Sequence, residues 1–574
     1  MQRRALTRRL SLLPAVKPRS PTTPRLTIAR AQLASQARPQ LPFLSTPLAG
    51  QGQFRYLTTE RKRWIVFEVY RGFKFTLYFW AMAGCSLVAF WCVQQEWFER
   101  QWPSPHEWSF ISRVRFRFCN HKANEKGLIK IEWPVISQSI TNLIERLEDR
   151  NLDGEGLQDL IEGGIWIDGI GNSGLDIQTK SENWRRGYYE ALMLAAKCAE
   201  HLDDHVLDTT RRIVFPAEHM IGPSNPHPKP IPFGSASAPH EENCIRAFVE
   251  PETFYMRILT TRGFSTKQKM DAALGYASWL DYKNIPDAAT RMYEWALSIA
   301  SENTSQMDLP YDTQSYVIKE GTRHPASNIL ASLTAIGAHK ARNDDIATAL
   351  PILLSVLRAR RSLPQPSSNI PTTTSNQHTL IDSAWAPQNI LNTITHLVSP
   401  PAYPPPPPSG EEPPVRDAKE LCEEAGLNLY IGEIIYASGS SHEDGIAWTR
   451  EAVDLAEQQL HTLKSEKDVD DEAKRTCREC LSSGLGNWGM MVERLIREEH
   501  ARKEKVESEG AGKGWLGLWG KSNGDGAVKD ESSVGRWEAE GSVVKERVRR
   551  AQDVLEEVER PSSLLGAALN VFKA

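Results

Sequence analysis

A run of 19 consecutive uncharged residues, Phe75 to Val93 (FTLYFWAMAGCSLVAFWCV), limits what this chain can become more than any other stretch. Wound as a helix rising 1.5 Å per residue, it is roughly 29 Å long, close to the thickness of a bilayer's hydrocarbon core. Aromatic rings gather at both ends: Phe73, Phe75, Tyr78, Phe79 and Trp80 on one side, Phe90, Trp91, Trp97 and Trp102 on the other. Such rings suit the membrane boundary, where an apolar body and a polar edge are both accommodated. A buried core helix would share the apolarity, but Arg71 and Lys74 stand just before the run and Glu96 and Glu99 just after it. An all-round apolar helix between charged flanks reads as a membrane span. We therefore read 73–95 as a single transmembrane helix, with the lipid bilayer as one partner of the chain.

The net charge of −4 conceals an asymmetry, because residues 1–100 hold 16 Lys/Arg against 4 Asp/Glu while the remainder holds 52 against 68. A basic head on an acidic body implies a targeting segment before a soluble domain, and argues against nucleic acid as a partner. Residues 1–59 contain ten Lys/Arg and no Asp or Glu. The opening MQRRALTRRLSLL sets Leu6, Leu10, Leu12 and Leu13 roughly opposite Arg3, Arg4, Arg8 and Arg9 on a short helix. Basic, acid-free and amphipathic, without a secretory h-region, is the composition of a mitochondrial presequence. The expectation is a presequence over 1–56, processed near Arg55–Tyr56, then a short matrix-side segment over 57–72. Presequence plus anchor points to the mitochondrial inner membrane. Arg61, Lys62, Arg63, Arg71 and Lys74 precede the anchor, so the positive-inside bias puts the body in the intermembrane space. Arg113, Arg115 and Arg117 act against that bias.

Beyond the anchor the periodicity becomes helical. A juxtamembrane helical region is expected over 96–180, with helices at Val135–Leu147 and Leu157–Ile161 around the turn DRNLDGEG. In that turn Asp149, Asn151, Asp153 and Gly154 match the first half of an EF-hand loop, but Leu160 stands where the closing Glu is needed and Gly156 where an apolar residue belongs. A polar helix connector explains the same residues. WRRGYYEALMLAAKCAEHL, 184–202, reads as a long amphipathic helix. The Pro/His-rich stretch that follows reads as a flexible loop, and its His219, His227 and His240 fit no regular metal spacing.

The most informative segment is 267–301, where two helices flank a turn around Asn284–Pro286. Tyr276 and Ala277 in the first helix, and Ala289, Tyr293 and Ala296 in the second, occupy the small and aromatic positions of a tetratricopeptide hairpin. The spacing recurs with Ile336 and Gly337 followed by Ala349, Leu353 and Val356. It recurs more loosely with Ile431 and Gly432 followed by Ala447, Trp448 and Ala452. A fourth first helix, Thr476 to Arg497, is expected to pair with Gly535 to Arg560. The fold class is thus all-α: an irregular TPR-like helical-repeat solenoid over 181–565 behind one transmembrane helix, with Pro-rich loops at 216–243, 364–378 and 399–415.

No enzyme signature emerges. GAGKGWLG at 510–517 puts Gly where a phosphate-binding loop needs Ser or Thr, and HExxH, GxSxG and paired CxxC motifs are missing. No cofactor and no metal is expected. The eight cysteines are too few for a disulfide scaffold in so long a chain, and the single pair Cys477/Cys480 reads as two small core residues of a helix. Trp515, Leu516, Leu518 and Trp519, between charged glycine-rich flanks, form a short aromatic segment suited to partner contact.

Presequence, anchor and irregular helical hairpins together resemble the fungal TPR-like adaptor subunit of the inner-membrane i-AAA protease complex, of the family named for being required when the mitochondrial genome is lost. The resemblance rests on YLTTERKRWIVFEVYRGFKFTLYFWAMAG, QEWFERQWPSPHEW, IGEIIYASG and GLGNWGMM, and would cover about 55–560. It implies an adaptor in the intermembrane space that associates with the protease and presents unfolded membrane-protein substrates to it. Two other readings share the composition: an outer-membrane TPR import receptor facing the cytosol, which would keep its N-terminus, and a respiratory-complex assembly factor.

Overall fold

The computed structural model describes residues 59–559 apart from 125–130, 161–164, 168–170, 235, 305–307, 322, 366–402, 440, 466–470 and 514–534. The expected presequence, most of the 364–378 loop and the segment Trp515–Trp519 lie outside the described residues. The chain divides into two units, 1–87 and 88–574.

In the first unit the described residues belong to one helix, α1, which spans Thr59–Gln101 in all. It is the one helix among the described residues that is long and apolar enough to cross a membrane, and none of its apolar window is buried. The helix exceeds the 73–95 expected because nothing between Thr59 and Gln101 breaks it; Pro103 is the first residue that cannot continue it. At its basic end Arg71 lies over the Phe75 ring and Lys74 over the Tyr78 ring. Each cation thus lies one turn before its ring, as expected of long basic side chains at a membrane boundary.

The second unit is mostly helical. After α1 come α2 (Phe110–Ala123), α3 (Trp133–Glu148), α4 (Glu182–Leu202) and α5 (Pro251–Thr260). Short strands interrupt them. β1 (Gln158–Asp159) pairs antiparallel with β4 (Leu175–Asp176), and β2 (Ile165–Ile167) with β3 (Gly171–Ser173). Where a short helix is expected at Leu157–Ile161, the described residues 157–160 are a strand and its flanks, so 96–180 is not wholly helical. Five residues cannot meet the cost of helix nucleation alone, and Gly156 before them sits at φ +83°. β5 (His205–Asp208) is the centre of an antiparallel sheet between β6 (Ile213–Pro216) and β7 (Cys244–Arg246). The Pro/His-rich stretch, expected to be a flexible loop, is the hydrogen-bonded connection of β6 to β7. Its Asn225 amide donates to the Glu218 and Met220 carbonyls, and His219 Nδ1 lies 2.9 Å from the Lys229 carbonyl.

Four helical hairpins follow: α6 (Thr266–Tyr282) with α7 (Pro286–Ala300), α8 (Ser327–Arg342) with α9 (Ile346–Arg361), α10 (Ala418–Ala437) with α11 (His442–Ser465), and α12 (Asp471–Lys513) with α13 (Arg536–Glu559). Local chemistry starts and stops them. Ser265 and Gln268 form a capping box on α6, and Asp417 caps α10 through the Glu420 N–H. Asn284 and Asp344 turn the first two hairpins in the left-handed region, at φ +57° and +61°, which Asn and Asp tolerate best after glycine.

The hairpin positions named from sequence are buried. Tyr276, Ala277, Ala289, Tyr293, Ala296, Ile336, Ala349, Leu353, Val356, Ile431 and Ala452 are each no more than 7 % exposed, and Gly337 and Gly432 are buried with them. The glycines mark where helices touch. A Cβ on Gly337 would lie 2.7 Å from a Leu353 methyl, and one on Gly432 would lie 2.7 Å from Thr449 Oγ1 and 2.9 Å from the Gly445 carbonyl. Two cores result: one extends from α2 to α9 and takes in Leu427, Ile431 and Ile434 of α10; the other takes Cys422, Ala425 and Tyr436 of α10 and continues through α13. Gly432→Leu has no room at the α10–α11 contact. Thermal unfolding of the variant should show a loss of about 1–3 kcal/mol or more, and an unchanged midpoint would contradict this packing.

Candidate functional site

A cavity of about 1150 Å³ opens within the second unit between α4, the start of α6, α2 and a proline strap. Burying the apolar stripe of α4 places Arg186, Tyr189 and Glu190 along its rim. The approach to α6 adds Phe264, its first turns add Lys267 and Asp271, and the turn after α1 adds Trp102. The fourth side is the chain itself, running as Pro404 to Pro408. Five successive prolines lack N–H donors and hold φ near −65°, so this tract can join neither helix nor sheet and stays extended. It is fixed at both ends. The Arg186 guanidinium stacks on the Tyr403 ring at 4.1 Å and donates to the Pro404 carbonyl at 2.6 Å. Beyond the prolines, Asn328 donates from its amide to the Ser409 carbonyl and from its backbone to the Gly410 carbonyl, both at 3.0 Å. The Glu411 carboxylate accepts from Thr266 and Asn303. Gly410 sits at φ +73° against Asn328, where no other residue fits.

The cavity is aromatic in its walls and mixed in charge. Glu190 meets solvent along the wall, yet protein surrounds it on most sides. That desolvation pushes its carboxyl up to about 7 despite the nearby Arg186, which holds it down. Burial also pushes the Tyr403 hydroxyl up to about 12. An extended peptide would meet rings for its side chains, and donors and acceptors for its backbone. The sequence carried only half of this site: the proline tract is visible in composition, but its seat on Arg186 is not.

A second constellation joins α9, α10 and α11. Arg360 pairs with Glu420, both buried; Arg361 reaches Glu424 at 2.8 Å and Glu451 at 2.7 Å; and Arg416 reaches Glu424 at 2.7 Å. Burial raises the Glu420 carboxyl, an effect that Arg360 opposes. Close by, Cys422 of α10 and Cys477 of α12 form a disulfide, their Cα atoms 5.0 Å apart. This corrects the reading of Cys477 as one of two small core residues of a helix. The bond joins residues 55 apart in sequence, a separation that leaves no local trace. Cys480 remains a free, buried thiol, pushed up to about 12 by desolvation. Burial favours the protonated thiol, the unreactive form.

Two groupings have the look of chemistry. Asp281, His339 and Thr290 line up as carboxylate, imidazole and hydroxyl, with contacts of 2.8 Å from His339 Nδ1 to Asp281 and 2.8 Å from Nε2 to Thr290. Thr290, however, donates its hydroxyl proton to the Pro286 carbonyl at 2.8 Å, so it offers none to the imidazole. Neither the large cavity nor the smaller one beside β5 and β7 is lined by these residues. The row bolts α6, α7 and α8 together. Asp153, from the half EF-hand, turns inward to accept from the Ser109 N–H at 2.7 Å and from the Ser109 and Ser112 hydroxyls. It braces the first turn of α2. Among the described residues no group of three or more His, Cys, Asp or Glu is placed to hold a metal ion.

No known protein family, no curated protein and no solved structure matches the chain.

The raised Glu190 carboxyl makes stability depend on pH. In the folded protein this group keeps a proton that the unfolded chain releases above about 4.5, so its stabilising effect is complete below about 4.5 and is lost as pH rises through about 7. Melting temperatures of the native protein relative to Glu190→Gln should therefore fall as pH rises across that window; parallel curves would contradict the environment described.

Proposed function

We propose that this protein is a membrane-anchored, non-enzymatic helical adaptor whose body lies in the mitochondrial intermembrane space, where it presents unfolded membrane-protein segments to the inner-membrane i-AAA protease. The observation that carries the reading is the cavity of α4 and α6, across which an extended stretch of this same chain is already laid and held by Arg186. A groove that accepts extended backbone in cis has the chemistry to accept it in trans, with rings for side chains and polar groups for the main chain.

Two further features support the side of the membrane. The Cys422–Cys477 disulfide suits an oxidising compartment and speaks against a body in the cytosol, where thiols are kept reduced. Of the three arginines that run against the positive-inside bias, Arg113 and Arg117 both bind the buried Glu99 carboxylate, which offsets one of their two charges. The six-residue end of the apolar run, Val88–Val93, leads directly to that clasp. TPR-like hairpins as partner surfaces, and Trp515–Trp519 as an additional contact, belong to the same proposal.

Affinity purification of the full-length tagged protein from mitochondria tests it. The i-AAA protease should co-purify, and a cross-linking amino acid at Tyr189 should capture segments of the protease's membrane substrates. Replacing Pro404–Pro408 by a Gly/Ser tract together with Tyr189→Ala should change that capture while the protease still co-purifies. Absence of the protease from the purified material would contradict the adaptor reading.

A further inference from the structure

The junction of α1 and α2 carries apolar side chains that the second unit leaves uncovered, and their height along α1 is fixed by three contacts. The Phe110 ring packs on Trp91 with centroids 5.8 Å apart. Arg117 Nη1 donates to the Gln95 carbonyl at 3.2 Å. The His121 ring lies 4.6 Å from Phe98 and 5.2 Å from Trp102. Positions 91, 95 and 98–102 thus meet 110, 117 and 121 in order, so α2 runs in the same direction as the end of α1. Residues 102–109 carry the chain back toward the apolar run before α2 begins. That return is locked by Glu99, which is 1 % exposed and accepts from Ser104, Arg113 and Arg117. The first turn of α2 is therefore level with Trp91, two residues short of the end of the apolar run at Val93.

At that level the surface is apolar. Phe110 is 57 % exposed and Ile111 50 %. Leu152, 45 % exposed, stands on the α3–β1 connection that Asp153 ties to Ser109. The opposite side of α2 is committed inward, with Phe116 and Cys119 in the core. Of the charged residues nearby, Arg150 pairs with Asp159, and Glu107 accepts a hydrogen bond from the Ser181 hydroxyl. We propose that Phe110, Ile111 and Leu152 enter the headgroup–acyl boundary of the phospholipid bilayer that α1 is built to cross, giving the body a second membrane contact. The occupant is the bilayer and not another protein, because the patch continues the surface of the apolar run itself, from Trp91 to Phe110, and bulky apolar side chains beside an aromatic ring suit the interfacial zone. Such a contact would hold α2 upright on the membrane.

The full-length protein, reconstituted into phosphatidylcholine vesicles containing phosphatidylglycerol, is made with benzoylphenylalanine at 110, 111 or 152, and at Phe233 as a fully exposed control on the β6–β7 connection. All of these side chains face outward, so the substitutions do not disturb the core. After irradiation, mass spectrometry should find lipid adducts at 110, 111 and 152 severalfold above those at 233. Adducts no more frequent than at 233, or adducts to a second copy of the chain, would overturn the proposal.

Discussion

The hairpin region depends on α10 being apolar on two opposite faces. Leu427, Ile431 and Ile434 complete the core of the preceding helices, while Cys422, Ala425 and Tyr436 open the core of the following ones. A helix with one apolar stripe could close only one core; this one joins two. The constraint explains what surrounds it. The side of α10 toward α11 must approach backbone to backbone, which Gly432 and Gly445 permit. The polar residues that remain on so buried a helix must be paired, which Arg360, Arg361 and Arg416 achieve for Glu420 and Glu424. The disulfide from Cys422 adds a covalent tie between this helix and α12. Removing one partner of the Arg360–Glu420 pair would leave a charge stranded in the interior, a change that typically costs about 3–5 kcal/mol.

At the other end of the unit, the same logic of matched charge fixes the start of α2. Glu99 is the last acidic residue of α1 and is nearly inaccessible, and Arg113 and Arg117 of α2 both bind it. One buried carboxylate thus ties α2 to the end of α1 and offsets one of the two arginine charges it meets. Between this clasp and the hairpins lies the cavity, whose shape owes as much to the proline strap as to the helices. The strap is held at Arg186 and at Asn328, more than a hundred residues apart in sequence and on different helices.

Much of the helical architecture was legible because its signals are local. Tyr276, Ala277, Ala289, Tyr293 and Ala296 fall at helical spacing within one short window, and a left-handed Asn followed two residues later by Pro announces the turn between them. What escaped was decided by distant residues. β1 exists because Gln158 and Asp159 meet Asp176 and Leu175, and two residues carry too little pattern to announce a strand. The Cys422–Cys477 bond follows from how α10 and α12 cross, which no count of cysteines reveals. The proline tract could be read as unfit for helix, but its partner Arg186 lies 218 residues from Pro404. Asp153 was read in a calcium-loop pattern, and only the position of Ser109 shows that its carboxylate is engaged at the start of a helix.

We propose that the body behind α1 lies between the two mitochondrial membranes. Protease treatment of intact mitochondria and of mitoplasts, with a tag at the C-terminus, tests this most directly. The account predicts a tag that survives in intact organelles and is lost once the outer membrane is opened. Loss in intact mitochondria would put the body in the cytosol, and survival in mitoplasts would put it in the matrix; either result would contradict the account.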